Sequence, residues 1–230
     1  VDLARNDGDQ ALSMRVVRKV AQHGYVLPQR GYPVHLAPSV GGGAETAFVL
    51  GVTREESGFD PEVRSPAGAL GMMQLMPGTA HIVARKLGFS YDASRLKDPD
   101  FNMELGSAYL GQLVGRFGGS YLMAAAPYNA GPGRPTEWAT FCGDPRFSSV
   151  DPADYIECIP FSETRNYVMR VLEAMEVYRA RLNGGEARLS LAADLKRGAY
   201  GYHVAEPERA SAAPSALSAA DTLLGVTEQR

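Results

Sequence analysis

The segment Arg54-Glu55-Glu56-Ser57-Gly58-Phe59-Asp60-Pro61 sets two adjacent carboxylates where a run of apolar residues stops. Residues 44–56 are apolar on nearly every face, with Ala47, Phe48, Val49, Leu50 and Val52 leaving little room for a solvated side. That pattern predicts a central, buried helix. Acids at its C-terminal end oppose the helix dipole. An acid held there against apolar surface has its charged form disfavoured, so its pKa rises. A glutamic acid tuned upward is what glycosidic cleavage needs as a proton donor. A solvated, charged helix end is the other reading, and the local pattern leaves both open. Periodicity does not choose between the two acids either. Glu55 continues the stripe of Ala44, Ala47, Phe48 and Val52, and Glu56 lies about a hundred degrees round the axis.

Other chemistries fare worse. His23, His35, His81 and His203 are widely scattered and neither cysteine has a C-x-x-C partner, so no metal site is expected and a histidine-dependent triad is disfavoured. The net charge of -3, from 23 basic against 26 acidic side chains, offers no field for nucleic acid. No apolar run approaches the roughly 18 to 20 residues that span a bilayer, so no stable membrane insertion is expected. Cys142 and Cys158 stand in a loop-rich stretch, either as independent thiols or as a disulfide. An oxidising compartment leaves the two about equal, and a cytosol favours the thiols. The opening Val1-Asp2-Leu3-Ala4-Arg5 is neither an initiator methionine nor a signal sequence, and reads as a fragment or processed product.

The elements that must position Glu55 and Glu56 fall into three regions. Residues 1–38 hold one helical pattern (Leu12, Val16, Val17, Val20, Ala21), broken by the arm around Tyr25, Leu27, Pro28 and Pro33. Such an arm cannot bury its own apolar face; it reads as the end of something larger or as a strap on the next domain. Residues 39–184 carry helical patterns at 44–56, 78–87, 100–117, 121–130 and 162–182. Ser162 is the expected N-cap of the last, with Glu163 in its first turn. Only 71–75 offers a short strand-like stretch, so the fold class is mainly α with at most a small β element. Residues 185–230 are Ala/Pro-rich and read as a linker or disordered tail.

Four blocks in order decide more than any one of them. They are Arg54-Glu55-Glu56-Ser57-Gly58-Phe59; Ser65-Pro66-Ala67-Gly68-Ala69-Leu70-Gly71-Met72-Met73-Gln74-Leu75-Met76-Pro77-Gly78-Thr79-Ala80; Tyr128-Asn129-Ala130-Gly131-Pro132-Gly133-Arg134; and Ile159-Pro160-Phe161-Ser162-Glu163-Thr164-Arg165-Asn166-Tyr167-Val168. Together they resemble the catalytic domain of soluble lytic murein transglycosylases, members of the lysozyme-like superfamily similar to glycoside hydrolase family 23. The resemblance implies an α+β lysozyme-like domain over 39–184, with 1–38 as the remnant of an upstream helical superhelix. It implies cleavage of the β-1,4 bond between N-acetylmuramic acid and N-acetylglucosamine in peptidoglycan, with 1,6-anhydro ends as product. It assigns Glu56 as the sole catalytic acid and base, and Ser65, Gln74, Met76, Tyr128, Asn129, Glu163 and Tyr167 to the glycan groove. It implies no metal or organic cofactor, peptidoglycan strands as partner, a monomer, and a periplasmic or cell-envelope location. A goose-type lysozyme-like hydrolase and a non-catalytic peptidoglycan-binding domain stand as the alternatives.

The residue chemistry agrees with several of these roles. An amide at Gln74 or Asn129 supplies donor and acceptor together, and Tyr128 offers a ring face to sugar C–H groups and a hydroxyl to its polar edge. Met72 and Met73 read better as core fillers, and Arg165 as an ion-pair partner. Three positions depart from the family. Glu55 replaces a frequent glutamine and would raise a neighbouring acid's pKa if close in space; Pro127 replaces an alanine and is expected to loosen or kink the helix before Tyr128; Cys158 replaces a frequent serine.

Overall fold

A computed structural model describes residues 1–6, 9–25, 27–35 and 44–198. The glycines at 41–43, His203 and the rest of the tail beyond residue 198 lie outside the described residues. Helices α1 (Asp2–Asn6) and α2 (Gln10–Ala21) come first, the second capped by the Asp9 carboxylate, which accepts from the Leu12 N–H. A single turn, α3 (Pro28–Gly31), follows. The apolar run forms α4 (Thr46–Glu56), buried from Ala47 to Thr53 as its composition requires. Both α5 (Pro77–Leu87) and α6 (Pro99–Arg116) start on proline, where the missing N–H has no helical partner to lose. The Asp98 carboxylate caps α6 by accepting from the Asp100 and Phe101 N–H groups. Then come α7 (Tyr121–Ala130), capped by Ser120, α8 (Arg134–Cys142), α9 (Pro152–Cys158), α10 (Ser162–Leu182) and α11 (Leu191–Leu195).

Helix α4 lies against α10, and Gly51 sets how close they come. A Cβ at Gly51 would stand 2.9 Å from the Val171 carbonyl oxygen, so this crossing admits only glycine without a shift. Around the pair, Phe48 stacks on Tyr121 with centroids 4.5 Å apart, and Leu50, Leu110, Trp138, Val168 and Met175 are buried. A second cluster, with Leu75, Val83, Leu96, Phe101 and Leu105, joins α5 to α6.

Several sequence expectations change on contact with the fold. Residues 71–75 form a tight turn with isolated bridges at Arg64–Leu70 and Leu70–Leu75, and no strand occurs among the described residues. Gly71 takes φ +77 and Gln74 takes φ 48 there, backbone values that a strand does not tolerate. Ser162 is already helical: the Arg165 N–H bonds the Phe161 carbonyl, which makes Phe161 the cap position, without a side-chain cap. Pro127 removes one N–H from α7, yet the helix continues to Ala130 and the Pro127 carbonyl accepts from Gly131. Helices α8 and α9, in the stretch that reads as loop-rich, are joined at their C-terminal ends by the Cys142–Cys158 disulfide.

The arm lies on the domain. Arg54 Nε donates to the Gly31 carbonyl, the Arg181 guanidinium donates to the Gln29 and Tyr32 carbonyls, and Tyr32 meets Tyr178 edge-on at 5.5 Å. Helix α11 sits within the segment that composition sets apart, and it also packs on the domain, through α7 and α10. Asp194 is 1% exposed and ion-pairs with Arg179, which also holds Glu45 (2.6 Å) and Glu176 (3.0 Å). Tyr121 donates to Glu45 at 2.9 Å. One guanidinium thus ties together the start of α4, the start of α7, the end of α10 and α11.

Candidate active site

Glu56 is the last residue of α4. Beyond it the Ser57 hydroxyl donates to the Met72 carbonyl at 2.7 Å, anchoring the helix end to the turn at 71–75. Gly58 and Phe59 then take φ of 66 and 67, turning the chain away, and Phe59 stays buried despite that backbone. The Glu56 carboxyl is partly buried, and Tyr167, from 111 residues further on, donates its hydroxyl to Oε1 at 2.7 Å. Burial drives the Glu56 pKa up to about 7; the Tyr167 bond pulls it down, and the charges of Glu55 and Glu163 push it up. No ion pair reaches Glu56 among the described residues.

Its neighbour is handled differently. Glu55 ion-pairs with Arg54 at 2.5 Å and approaches Arg170 at 4.0 Å. Arg54 is in turn fixed by the Gly31 carbonyl and by the Tyr32 ring, 4.3 Å from its guanidinium carbon. The two acids differ here: the adjacent cation pairs with Glu55, and among the described residues Glu56 keeps the Tyr167 hydroxyl.

Two cavities of about 470 and 290 Å3 share Asn129 and Ala130. The smaller is walled by Gln74, Met76, Thr79, Tyr109 and Tyr128, the larger by Arg134, Phe161, Glu163 and Thr164. The polar side chains along them are oriented by their own bonds. Gln74 Nε2 donates to the Val63 and Gly71 carbonyls at 3.0 and 2.9 Å, which leaves its carbonyl oxygen as the uncommitted end. Asn129 does the reverse, since its Oδ1 accepts from Thr164 Oγ1 at 2.7 Å and its NH2 is uncommitted. The Tyr128 hydroxyl donates inward to the Met73 carbonyl at 2.9 Å, so that residue offers its ring more than its hydroxyl. Met76 is 44% exposed, whereas Met72 and Met73 are core.

Of the expected groove residues, Gln74, Met76, Tyr128, Asn129 and Glu163 line the cavities, and Tyr167 meets Glu56. Ser65 lines neither: its hydroxyl accepts from the Ala69 N–H at 3.0 Å and closes the turn at 65–69. Arg165 has a backbone partner instead of a carboxylate, donating to the Glu157 carbonyl.

Sequence reasoning missed three supporting side chains. Thr164, 2% exposed, fixes the Asn129 amide. Asn102, fully buried, accepts from the Met73 N–H and donates to the Leu70 and Leu96 carbonyls, which pins the turn carrying Gln74. Ser57 locks the end of α4. The signal for Asn102 was present, a polar residue on a stripe of Phe101, Leu105 and Ala108 that must find partners inside.

Residues 38–145 match the Transglycosylase SLT domain, and residues 158–187 match the Soluble lytic transglycosylase helical domain. The second match falls on α10. The soluble lytic murein transglycosylase of Escherichia coli K12 is 38% identical over 136 residues, covering 58% of this chain and 20% of that protein. The membrane-bound lytic murein transglycosylase C of Glaesserella parasuis is 31% identical over 179 residues, covering 70% of this chain and 49% of the relative. The crystal structure of the 70-kDa soluble lytic transglycosylase of Escherichia coli superposes with a TM-score of 0.69 at 31% identity, over 79% of this chain and 29% of that one. An inactive glutamate-to-glutamine mutant of lytic transglycosylase Slt from Pseudomonas aeruginosa gives a TM-score of 0.67 at 32% identity, over 80% of this chain and 30% of that one. The chain spans about a fifth of the length of the soluble curated relatives it matches. Its mainly helical fold is the lysozyme-like fold of those structures, and residues 38–145 are a transglycosylase SLT domain homologous to that of the soluble lytic murein transglycosylases.

Proposed function

We propose that this chain is a peptidoglycan lytic transglycosylase that cleaves the β-1,4 bond between N-acetylmuramic acid and N-acetylglucosamine and leaves 1,6-anhydro-muramic acid ends. The observation that carries the reading is Glu56, a partly buried carboxyl with a pKa near 7, bonded to the Tyr167 hydroxyl. Near neutral pH such a group is present in both protonation states, so it can give a proton and take one back.

Protonated Glu56 donates to the bridging oxygen, the muramoyl C1–O bond breaks, and positive charge develops at C1. Glu55, held by Arg54, is not free to act as a nucleophile. The 2-acetamido oxygen of the substrate, or charge stabilisation by nearby carboxylates, takes that role. The Glu56 carboxylate then removes the proton of the muramoyl 6-hydroxyl, whose oxygen closes on C1. The proton returns to the enzyme and no water is consumed. The Asn129 amide and the Gln74 carbonyl present a donor and an acceptor to hydroxyl and acetamido groups, and Tyr128 presents a ring to a sugar face. The names of the relatives, and the inactive glutamate-to-glutamine mutant among them, support the same assignment. The site of action that goes with it is the cell envelope, on the periplasmic side, with the glycan strand as the partner of a monomer.

Digestion of intact sacculi followed by mass spectrometry tests the proposal. Anhydro ends, one water lighter than reducing ends, are expected. Reducing muramic ends would make the chain a goose-type lysozyme-like hydrolase, and binding without any release would make it a peptidoglycan-binding domain.

A further inference from the structure

Arg54 lies in the last turn of α4, immediately before Glu55 and Glu56. A cation there suits the helix dipole in any orientation, yet this guanidinium is held on two sides. Its Nε donates to the Gly31 carbonyl at 2.9 Å, and its central carbon lies 4.3 Å from the centroid of the Tyr32 ring. Both partners belong to the arm, and the arm is itself fastened. Gly31 is buried so close to α2 that a Cβ would stand 2.8 Å from Val17 Cγ1. Tyr32 is braced by the Tyr178 ring and by the bond from Arg181 to its carbonyl. The remaining edge of the Arg54 guanidinium meets Glu55 at 2.5 Å, and the two side chains are only 17% and 9% exposed. Water therefore screens this pair far less than it screens a surface pair.

The charges around the two acids are unequal. Glu56 faces Glu55 on its own helix, Tyr167 and Glu163 of α10, and Tyr128 of α7, and none of these supplies a cation. Glu55 faces Arg54 and, across the crossing with α10, the Arg170 guanidinium at 4.0 Å, which is 64% exposed. The Tyr32 and Tyr178 rings complete the surroundings of Arg54, with Glu173 and Arg181 acting on those rings. Arg54 is thus the nearest cation to a Glu55 carboxylate that has left water.

We propose that Gly31 and Tyr32 of the arm are positioning residues of the candidate active site, holding Arg54 where it cancels the charge of Glu55 beside Glu56. The inference rests on the reading of Glu56 as proton donor and deepens it. A carboxylate next to the donor disfavours its charged form, and a cation fixed against that carboxylate removes most of the effect. A free arginine would sample many orientations, whereas one bonded to a carbonyl and stacked on a ring keeps its remaining edge on Glu55. On this arrangement the arm sets the pH at which Glu56 parts with its proton, although no arm residue reaches Glu56.

The test follows the pH at which Glu56 loses its proton, read in two ways on the full chain. One is the upper limb of the pH–rate profile for release of anhydro ends from sacculi. The other is a carbon NMR titration of the glutamate side-chain carboxyls, with the Glu56 signal identified by its absence from Glu56→Gln. Arg54→Met leaves Glu55 as an uncompensated carboxylate, and should move both midpoints up from about 7 by about one unit. Arg54→Lys keeps the charge and should restore most of the parent value. Adding Arg54→Met to Glu55→Gln brings the same packing loss with no charge left to cancel, so the shift relative to Glu55→Gln should vanish. Tyr32→Leu, which frees Arg54 from the ring, should move the midpoints in the same direction by about half as much. A shift that persists in the Glu55→Gln background, an unmoved or lowered midpoint in Arg54→Met, or an unmoved midpoint in Tyr32→Leu would overturn the inference. If the parent releases no anhydro ends, the lytic reading fails on its own, and the NMR titration still decides the inference.

Discussion

Helices α4, α7 and α10 each have one end at the candidate active site and the other at the Arg179 cluster, and carboxylates at the two ends meet opposite fates. At the cluster, Glu45, Glu176 and Asp194 share one guanidinium, and the Ser190 hydroxyl lies within bonding distance of Glu176 and Asp194, so that each carboxylate has a cation against it. At the candidate active end, Glu56 has only the Tyr167 hydroxyl among the described residues, and its pKa climbs to about 7. A carboxylate taken out of water keeps its charge when a cation accompanies it and holds its proton more tightly when none does. The same contrast recurs between adjacent residues, because Arg54 neutralises Glu55 and not Glu56.

The largest test acts on the unpaired acid. Glu56→Gln should lower the rate of anhydro-end release on the order of 10²–10⁴-fold, measured by mass spectrometry of digested sacculi. The same variant should be more stable than the parent at pH 8. Glu56 binds its proton more tightly in the folded protein, so the parent's stability is intact below the unfolded pKa near 4.5 and falls as pH rises through 7. The difference between parent and Glu56→Gln in urea unfolding should grow from near zero at pH 4 to on the order of 3 kcal/mol at pH 8. A difference independent of pH would break the contrast.

At the other end, Arg179→Met strands Glu45, Glu176 and Asp194 together, and should cost about 3–5 kcal/mol in urea unfolding. The upper limb of the pH–rate profile should stay near 7 in the folded fraction; movement of that limb would show that the two ends are electrostatically joined. Replacing Cys142 and Cys158 together by serine should cost about 3 kcal/mol by freeing the loop they close, read as a lowered urea midpoint with the same pH limb. Tyr167→Phe gives the smallest effect. Loss of its hydrogen bond removes a contribution that favours the carboxylate, so the upper limb should move above pH 7 by up to about one unit, worth ~1 kcal/mol. A limb that moved down would invert the role given to Tyr167.

Local features were legible wherever the chain signals them within a turn or two. The apolar run of α4, the proline starts of α5 and α6 and the stripe of α10 are such features. Short elements held by distant partners were not. Helices α8 and α9 owe their closure to the Cys142–Cys158 bridge and to the bond from the Tyr155 hydroxyl to Pro135, neither of which leaves a periodic trace. The turn at 71–75 alternates like a strand but is fixed by Asn102 and Gly71 in a backbone no strand adopts. Ser65, expected in the groove, lines neither cavity and accepts from the Ala69 N–H within its own turn.

The sequence by itself determined the order of the four blocks, the family they belong to, the burial of the helix that carries Glu55 and Glu56, and the shortage of histidine and cysteine for other chemistries. Those are properties of composition and short-range spacing. Only the tertiary structure separated the two acids, pairing Glu55 with a cation and leaving Glu56 desolvated beside the Tyr167 hydroxyl. That separation depends on Arg54 being fixed by the arm, on Tyr167 arriving from 111 residues away, and on water being excluded around Glu56. A pKa is set by the desolvation and charges a group meets in space, and chain neighbours supply only part of either.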